Sequence, residues 1–149
     1  MDGTDAVSFW VEGLPKPKGS WDAMWNAKRR CCILFAKNSP EAEVWRKAIF
    51  YEAKRAHVPR LMDGPIQIKI VYYLPRAQKT SVELLFRDKT PDIDKLDRLV
   101  LDSLTDVAWR DDCQVCDSHS IKRYLPDGGR TGAQITIAPL APTIAGLFS

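Results

Sequence analysis

Residues 66–73, IQIKIVYY, alternate apolar and polar side chains, with Ile66, Ile68 and Ile70 on one face and Gln67 and Lys69 on the other. A period of two marks a strand with one buried face, so the chain must lay something apolar over that face. Two helical patterns supply it. Ser39 can cap a helix that starts at Pro40, with Glu41 and Glu43 at the positive end of its dipole. Ala42, Trp45, Ile49 and Ala53 recur at helical spacing, and the helix is expected to reach about His57, with Pro59 barring continuation. Leu96, Leu99, Val100 and Leu104 form a second stripe, starting just after Asp94. Further strands are predicted over 7–12 (VSFWVE), 114–124 and 133–138, with turns at 63–65, 105–112 and 126–129. The sum is an α/β (α+β) chain: a small mixed sheet with two main helices.

The other segments carry weaker signals. Residues 13–30 hold prolines, glycines and five cations around Trp21 and Trp25, and are read as a basic loop, its tryptophans either packed in the core or stacked on a base. Residues 75–90 show no period and are read as a loop, with at most a short element at 82–86. A chain of 149 residues, 45% hydrophobic and 28% charged, is expected to fold as one domain over 1–149 with a flexible or arm-like tail at 139–149. The N-terminus lacks a basic region followed by an apolar one, and no apolar run approaches the ~18 residues of a membrane span. A cytoplasmic protein with no membrane partner is expected, with Cys31, Cys32, Cys113 and Cys116 as free thiols or metal ligands rather than disulfides.

Charge is distributed against its sum. The formal net charge is +3, yet Asp92, Asp94, Asp97, Asp102, Asp106, Asp111, Asp112 and Asp117 crowd one stretch, while Lys16, Lys18, Lys28, Arg29 and Arg30 face only Asp22 near the N-terminus. In an extended segment ahead of a helix, Asp92 and Asp94 would point to one side. A strand starting near Asp111 and Asp112 could return beside them and add a third carboxylate. Three convergent aspartates suit Mg²⁺, which takes oxygen ligands and keeps several waters, and such an ion can promote hydrolysis of a phosphodiester. Aspartates ahead of helices and turns also serve as caps. Asp97 and Asp102 fall on the polar face of the second helix, where pairing with Arg98 or solvation is expected. Cys113, Cys116 and His119 are set aside as a zinc site, because strand residues three apart face opposite ways and Cys31-Cys32 is not a usual second half.

The run TPDIDKLDRLVLDSLTDVAWRDDCQV, residues 90–115, resembles the hallmark of the RusA family of Holliday-junction resolvases, approximately K-P-D-x-D-N-L-x-K, a helix ending D-x-L, then D-D-x-Q-V. FWVEGLPKPKG resembles that family's opening strand and loop, VWRKAIFYEA its first helix, and KRY its last-strand lysine region. The resemblance implies an intertwined homodimer and Mg²⁺-dependent paired nicking of four-way junction DNA, with Mn²⁺ able to substitute and no small-molecule cofactor. By motif position, Asp92, Asp94 and Asp112 match the family's metal-binding aspartates, with Asp111 beside them. Lys95 stands where the family has asparagine and Arg98 where it has a catalytic lysine, so either cation can support the transition-state charge, though an arginine cannot shuttle a proton. Expected DNA contacts are Lys16, Lys18, Lys28, Arg29 and Arg30, then Lys69, Arg76 and Lys79. The alternative is a branched-DNA-binding protein on the same fold that has lost turnover through Lys95 and Arg98.

Overall fold

The computed structural model describes residues 6–19, 21–36, 39–58, 62–126, 128–141 and 143–144. Six strands and two helices follow in the order β1 (Val7–Glu12), β2 (Trp21–Asn26), β3 (Cys31–Ala36), α1 (Pro40–Arg55), β4 (Ile66–Leu74), α2 (Ile93–Leu104), β5 (Val115–Tyr124) and β6 (Gly132–Pro139). Four strands form a mixed sheet in the order β1-β6-β4-β5. β4 runs parallel to β5 and antiparallel to β6, and β1 is antiparallel to β6.

The alternation in β4 does what its period requires. Ile66, Ile68, Ile70, Tyr72 and Leu74 are all buried, and the register aligns them in rows with Ala133, Ile135 and Ile137 of β6 and with Phe9 and Val11 of β1. Both helices cover this face. α1 presents Ala42, Trp45, Ile49 and Ala53, capped at its start by the Ser39 hydroxyl accepting from Ala42 N at 3.2 Å. α2 presents Leu96, Leu99, Val100 and Leu104, and Val107, Ala108 and Trp109 close the core after it. At the last strand the rows change character: Ile68 pairs with Ser118, Ile70 with Ser120 and Tyr72 with Lys122. The apolar layer therefore ends at β5.

Three segments depart from the sequence expectations. The basic loop contains a hairpin, β2–β3, apart from the main sheet. Its Trp25 and Leu34 are 62% and 67% exposed, so Trp25 is not a core residue; the Trp21 side chain lies outside the described residues. Local polar chemistry shapes the turn, where Asn26 Oδ1 accepts from Lys28 N and Arg29 N at 3.1 and 3.0 Å, the side-chain turn that asparagine favours. Residues 75–90 are organised by arginine. The Arg76 guanidinium donates to the carbonyls of Ser81, Leu84 and Leu125 and lies over the Tyr124 ring, and Arg87 donates to Thr90 O and Pro75 O at 2.8 Å each. Phe86 bridges to Arg123 there, confirming a short element at the end of 82–86. Finally, β6 extends through Pro139, and Leu140 N donates to Pro65 O at 2.8 Å, so the start of the expected tail belongs to the sheet; residues 142 and 145–149 lie outside the described residues. Among the described residues no helix is long and apolar enough to cross a membrane.

Candidate active site

The acidic stretch is arranged around the two ends of α2. The helix begins at Ile93, two residues before the stripe alone indicated, because the cap and first turn precede the first buried side chain, Leu96. Asp92 is the N-cap in extended conformation but makes no side-chain cap bond, and its carboxylate faces Lys95 Nζ at 3.4 Å. Asp94 lies in the first turn, not in an extended segment. Both are exposed. Asp94, Arg98 and Asp102 follow at spacings of four, which places them along one side of the helix, with Arg98 exposed.

Asp97 turns inward instead of solvating. Its Oδ1 accepts the hydroxyl of buried Tyr72 at 2.7 Å. Burial lifts its carboxyl above the ordinary aspartate value; the Tyr72 and Ser120 hydroxyls pull it back, and the charge of Asp94 adds to the rise. The Tyr72 phenol is raised well above its ordinary value by its own burial and then by the charge of Asp97.

At the other end of α2 the chain makes one 3-10 turn, Asp112–Gln114. Asp111 caps it, accepting from Cys113 N at 2.9 Å, while Gln114 Oε1 accepts from Asp111 N at 3.2 Å and its amide donates to Met62 O and Gly64 O. Those bonds from Cys113, backbone first, hold the Asp111 carboxyl below the usual range. Asp112 Oδ1 accepts from Thr105 Oγ1 and from the indole N–H of buried Trp109 at 3.0 Å. Asp112 also lines an open groove of about 400 Å³, with Lys18, Asp102, Thr105, Arg110 and Asp111. The residues alone left Asp111 and Asp112 equivalent; both line the groove, and the bonding separates them, Asp111 capping the 3-10 turn and Asp112 held by Thr105 and Trp109.

The segment after β1 ties the two ends together. Gly13 turns it, at φ +142°, a conformation that strains any side chain, and a Cβ there would crowd the Trp45 ring at 3.3 Å. The chain then runs along α2: Lys18 N donates to Lys95 O at 3.0 Å, and Lys18 Nζ pairs with Asp102. Lys16 lines a second cavity, about 420 Å³, with Arg87, Asp92 and Lys95. Lys122 donates to Lys89 O and Pro91 O at 2.8 Å each, fixing the approach to Asp92 from β5.

The expected convergence of three aspartates is not formed within one chain. Among the described residues no three of His, Cys, Asp and Glu gather as a metal site. The cause is topological: α2 is 12 residues, about 18 Å at 1.5 Å per residue, and β5 starts beside Asp112 but reaches the Asp92 end only at Lys122. Asp102 was read as solvated or as a partner of Arg98, and it joins Asp112 in the groove instead. Its only sequence signal was its place on the side of α2 that carries Asp94 and Arg98. Of the expected DNA contacts, Lys28, Arg29 and Arg30 cluster exposed at the hairpin turn, Lys69 and Lys79 are exposed, and Arg76 is committed to the 75–90 segment. All four cysteines are free and exposed.

Carboxylates in an open groove with cations on its wall are the equipment of a phosphodiester hydrolase. The family described as Endodeoxyribonuclease RusA matches residues 15–138, so this chain belongs to the RusA endodeoxyribonuclease family. No curated protein sequence matches it.

Proposed function

We propose that this chain is a structure-selective endodeoxyribonuclease that resolves four-way DNA junctions by paired nicks, acting as a homodimer with Mg²⁺ or, in its place, Mn²⁺. The observation that carries the reading is the groove at the end of α2, where Asp102 and Asp112 meet Lys18 and Arg110. Its oxygen donors fit a hard cation that needs only one or two protein carboxylates and completes its shell with water and phosphate. Asp102 and Asp112 would hold the ion from one chain, and Asp92 and Asp94 would come from the other end of α2 in a two-fold partner. When bound, Mg²⁺ polarises the phosphodiester and acidifies the attacking water.

The chain's own residues do the rest. Among the described residues Arg98 forms no ion pair, and it stands exposed between Asp94 and Asp102, which supports it as the guanidinium that meets the charge developing on phosphate. Lys95, turned toward Asp92, orients that carboxylate. Lys28, Arg29 and Arg30, with exposed Trp25 beside them, equip the hairpin to grip the DNA backbone, and Lys16, Lys69 and Lys79 add weaker positive surface. A C2 dimer presents two identical sites to a nearly two-fold junction, which accounts for paired cuts.

The test is a synthetic four-way junction incubated with Mg²⁺ and with chelator. Paired nicks in Mg²⁺ alone are expected, with Arg98→Ala slower by about 100-fold and Lys95→Ala much closer to wild type. Junction that is bound but uncut in Mg²⁺ would reject the nuclease and leave the branched-DNA-binding protein.

A further inference from the structure

One edge of the main sheet is open. β5 pairs on its inner side with β4, while on its outer side Arg87 N donates to Lys122 O at 3.2 Å and Tyr124 N donates to Leu85 O at 2.9 Å. Backbone groups of alternate residues in a strand point the same way, so these two bonds mark Ser118 and Ser120 as outward-facing as well. Among the described residues nothing pairs with that outer edge between Val115, where the strand starts, and Ile121, where residues 85–87 begin to cover it. The bare stretch, VCDSHSI, has none of the lysines or prolines that usually block an exposed edge.

We infer that this edge pairs with itself, β5 of a second copy lying antiparallel against it about a two-fold axis through Ser118. The inference rests on the dimeric reading above and specifies its interface. Two separate observations select the register. Ser118 is the middle residue of the bare run, so a dyad there uses its full length without meeting residues 85–87. The same dyad sets Asp117 opposite the partner's His119. Asp117 and His119 already lie 2.9 Å apart within one chain, on the face of the sheet away from the helices, so pairing joins two acids and two imidazoles across the axis. A dyad one residue to either side would oppose Asp117 to Asp117 or His119 to His119, and like charges directly opposite destabilise a strand pair.

The arrangement has a consequence for the site. Antiparallel pairing about Ser118 brings the partner's Lys122 opposite Gln114. Lys122 holds the approach to Asp92, so the Asp92 end of one α2 arrives at the Asp112 end of the other.

Cross-linking tests the register. In a variant with Cys31, Cys32, Cys113 and Cys116 changed to serine, Ser118→Cys should oxidise to a disulfide-linked dimer, because directly paired residues in a hydrogen-bonded antiparallel site lie about 5.5 Å apart, within disulfide reach. Lys69→Cys in the same background should not. Ser118→Pro removes an N–H that bonds nothing among the described residues, so it should keep the monomer's circular dichroism and shift sedimentation from dimer to monomer. A dimer that neither cross-links at 118 nor responds to proline overturns this interface while leaving the dimeric reading standing. A wild-type protein that sediments only as monomer overturns both. If the proline variant fails to fold, the cross-link decides.

Discussion

Replacing Asp112 by asparagine and, separately, by alanine divides the part it plays in the fold from the part it plays toward a cation. Its Oδ1 is the acceptor for the Trp109 indole N–H at 3.0 Å and for the Thr105 hydroxyl. Trp109 is fully buried, so in Asp112→Ala its donor is left without a partner, a cost of about 1–3 kcal/mol. Thr105 loses less, since its hydroxyl also lies 3.0 Å from Leu101 O and can turn there. About 2 kcal/mol in all corresponds to a fall in Tm of roughly 4–8 °C for a chain near this size. Asp112→Asn retains an oxygen for both donors and gives up only the added strength of a charged acceptor, about 1 kcal/mol or less.

Thermal melting and junction cleavage, measured on the same preparations, check both halves. Asp112→Asn should melt within about 4 °C of wild type and lose cleavage by at least about 100-fold. Asp112→Ala should lose both. Near-normal cutting by Asp112→Asn would refute the Asp112 carboxylate as a cation ligand. Equal melting of Asp112→Ala and wild type would refute the hydrogen-bond account of how this residue is held.

Two further outcomes follow from neighbouring geometry. Burial raises the Asp97 carboxyl above 3.8, so its contribution to stability is complete below that value and fades as pH rises through the higher folded-state value. Asp97→Asn keeps an acceptor for Tyr72, and its melting temperature should therefore fall less than wild type's on going from about pH 3 to pH 6; identical profiles would show that Asp97 does not carry this dependence. At the hairpin tip, Lys28→Gln, Arg29→Gln and Arg30→Asn together should flatten the plot of log affinity against log salt by up to about 2.7 if each cation meets a phosphate, with Asn chosen because Arg30 sits at φ +49°. An unchanged slope would place the phosphate contacts elsewhere.

What the sequence made legible was local. Ile66, Ile68 and Ile70 announce their own buried face, and Ser39-Pro40 announces a helix start, because each signal is complete within a few residues. The β2–β3 hairpin was not legible because its apolar residues, Met24, Trp25 and Leu34, rest on no core and follow no clean alternation. Residues 75–90 lacked a period because Arg76 and Arg87 order them through main-chain carbonyls, a device that leaves no hydrophobic pattern. The aspartates were identified by type and motif, but their grouping depends on contacts far apart in sequence. Asp102 acquires its place only when Lys18 arrives from the other end of the chain, and Asp92 parts from Asp112 only because a whole helix intervenes.

That separation bears on how the protein tolerates its own charge. Two carboxylates about 4 Å apart repel by roughly 4 kcal/mol at the effective dielectric of a protein surface, whereas across about 18 Å, beyond the ~8 Å screening length of physiological salt, little repulsion remains. Three of the acids near the ends of α2 also have a cation or donors at hand: Lys95 for Asp92, Lys18 for Asp102, Thr105 and Trp109 for Asp112. A single chain so arranged is expected to fold without a metal. Chelation should therefore leave the monomer's Tm within about 2 °C while abolishing junction cleavage, and added Mg²⁺ should raise Tm only under conditions where the protein is dimeric, since ligand binding stabilises only the species that binds. A clear loss of Tm on chelation of a monomeric preparation would show that one chain assembles a tight metal site by itself, and would overturn the division of the carboxylates between two subunits.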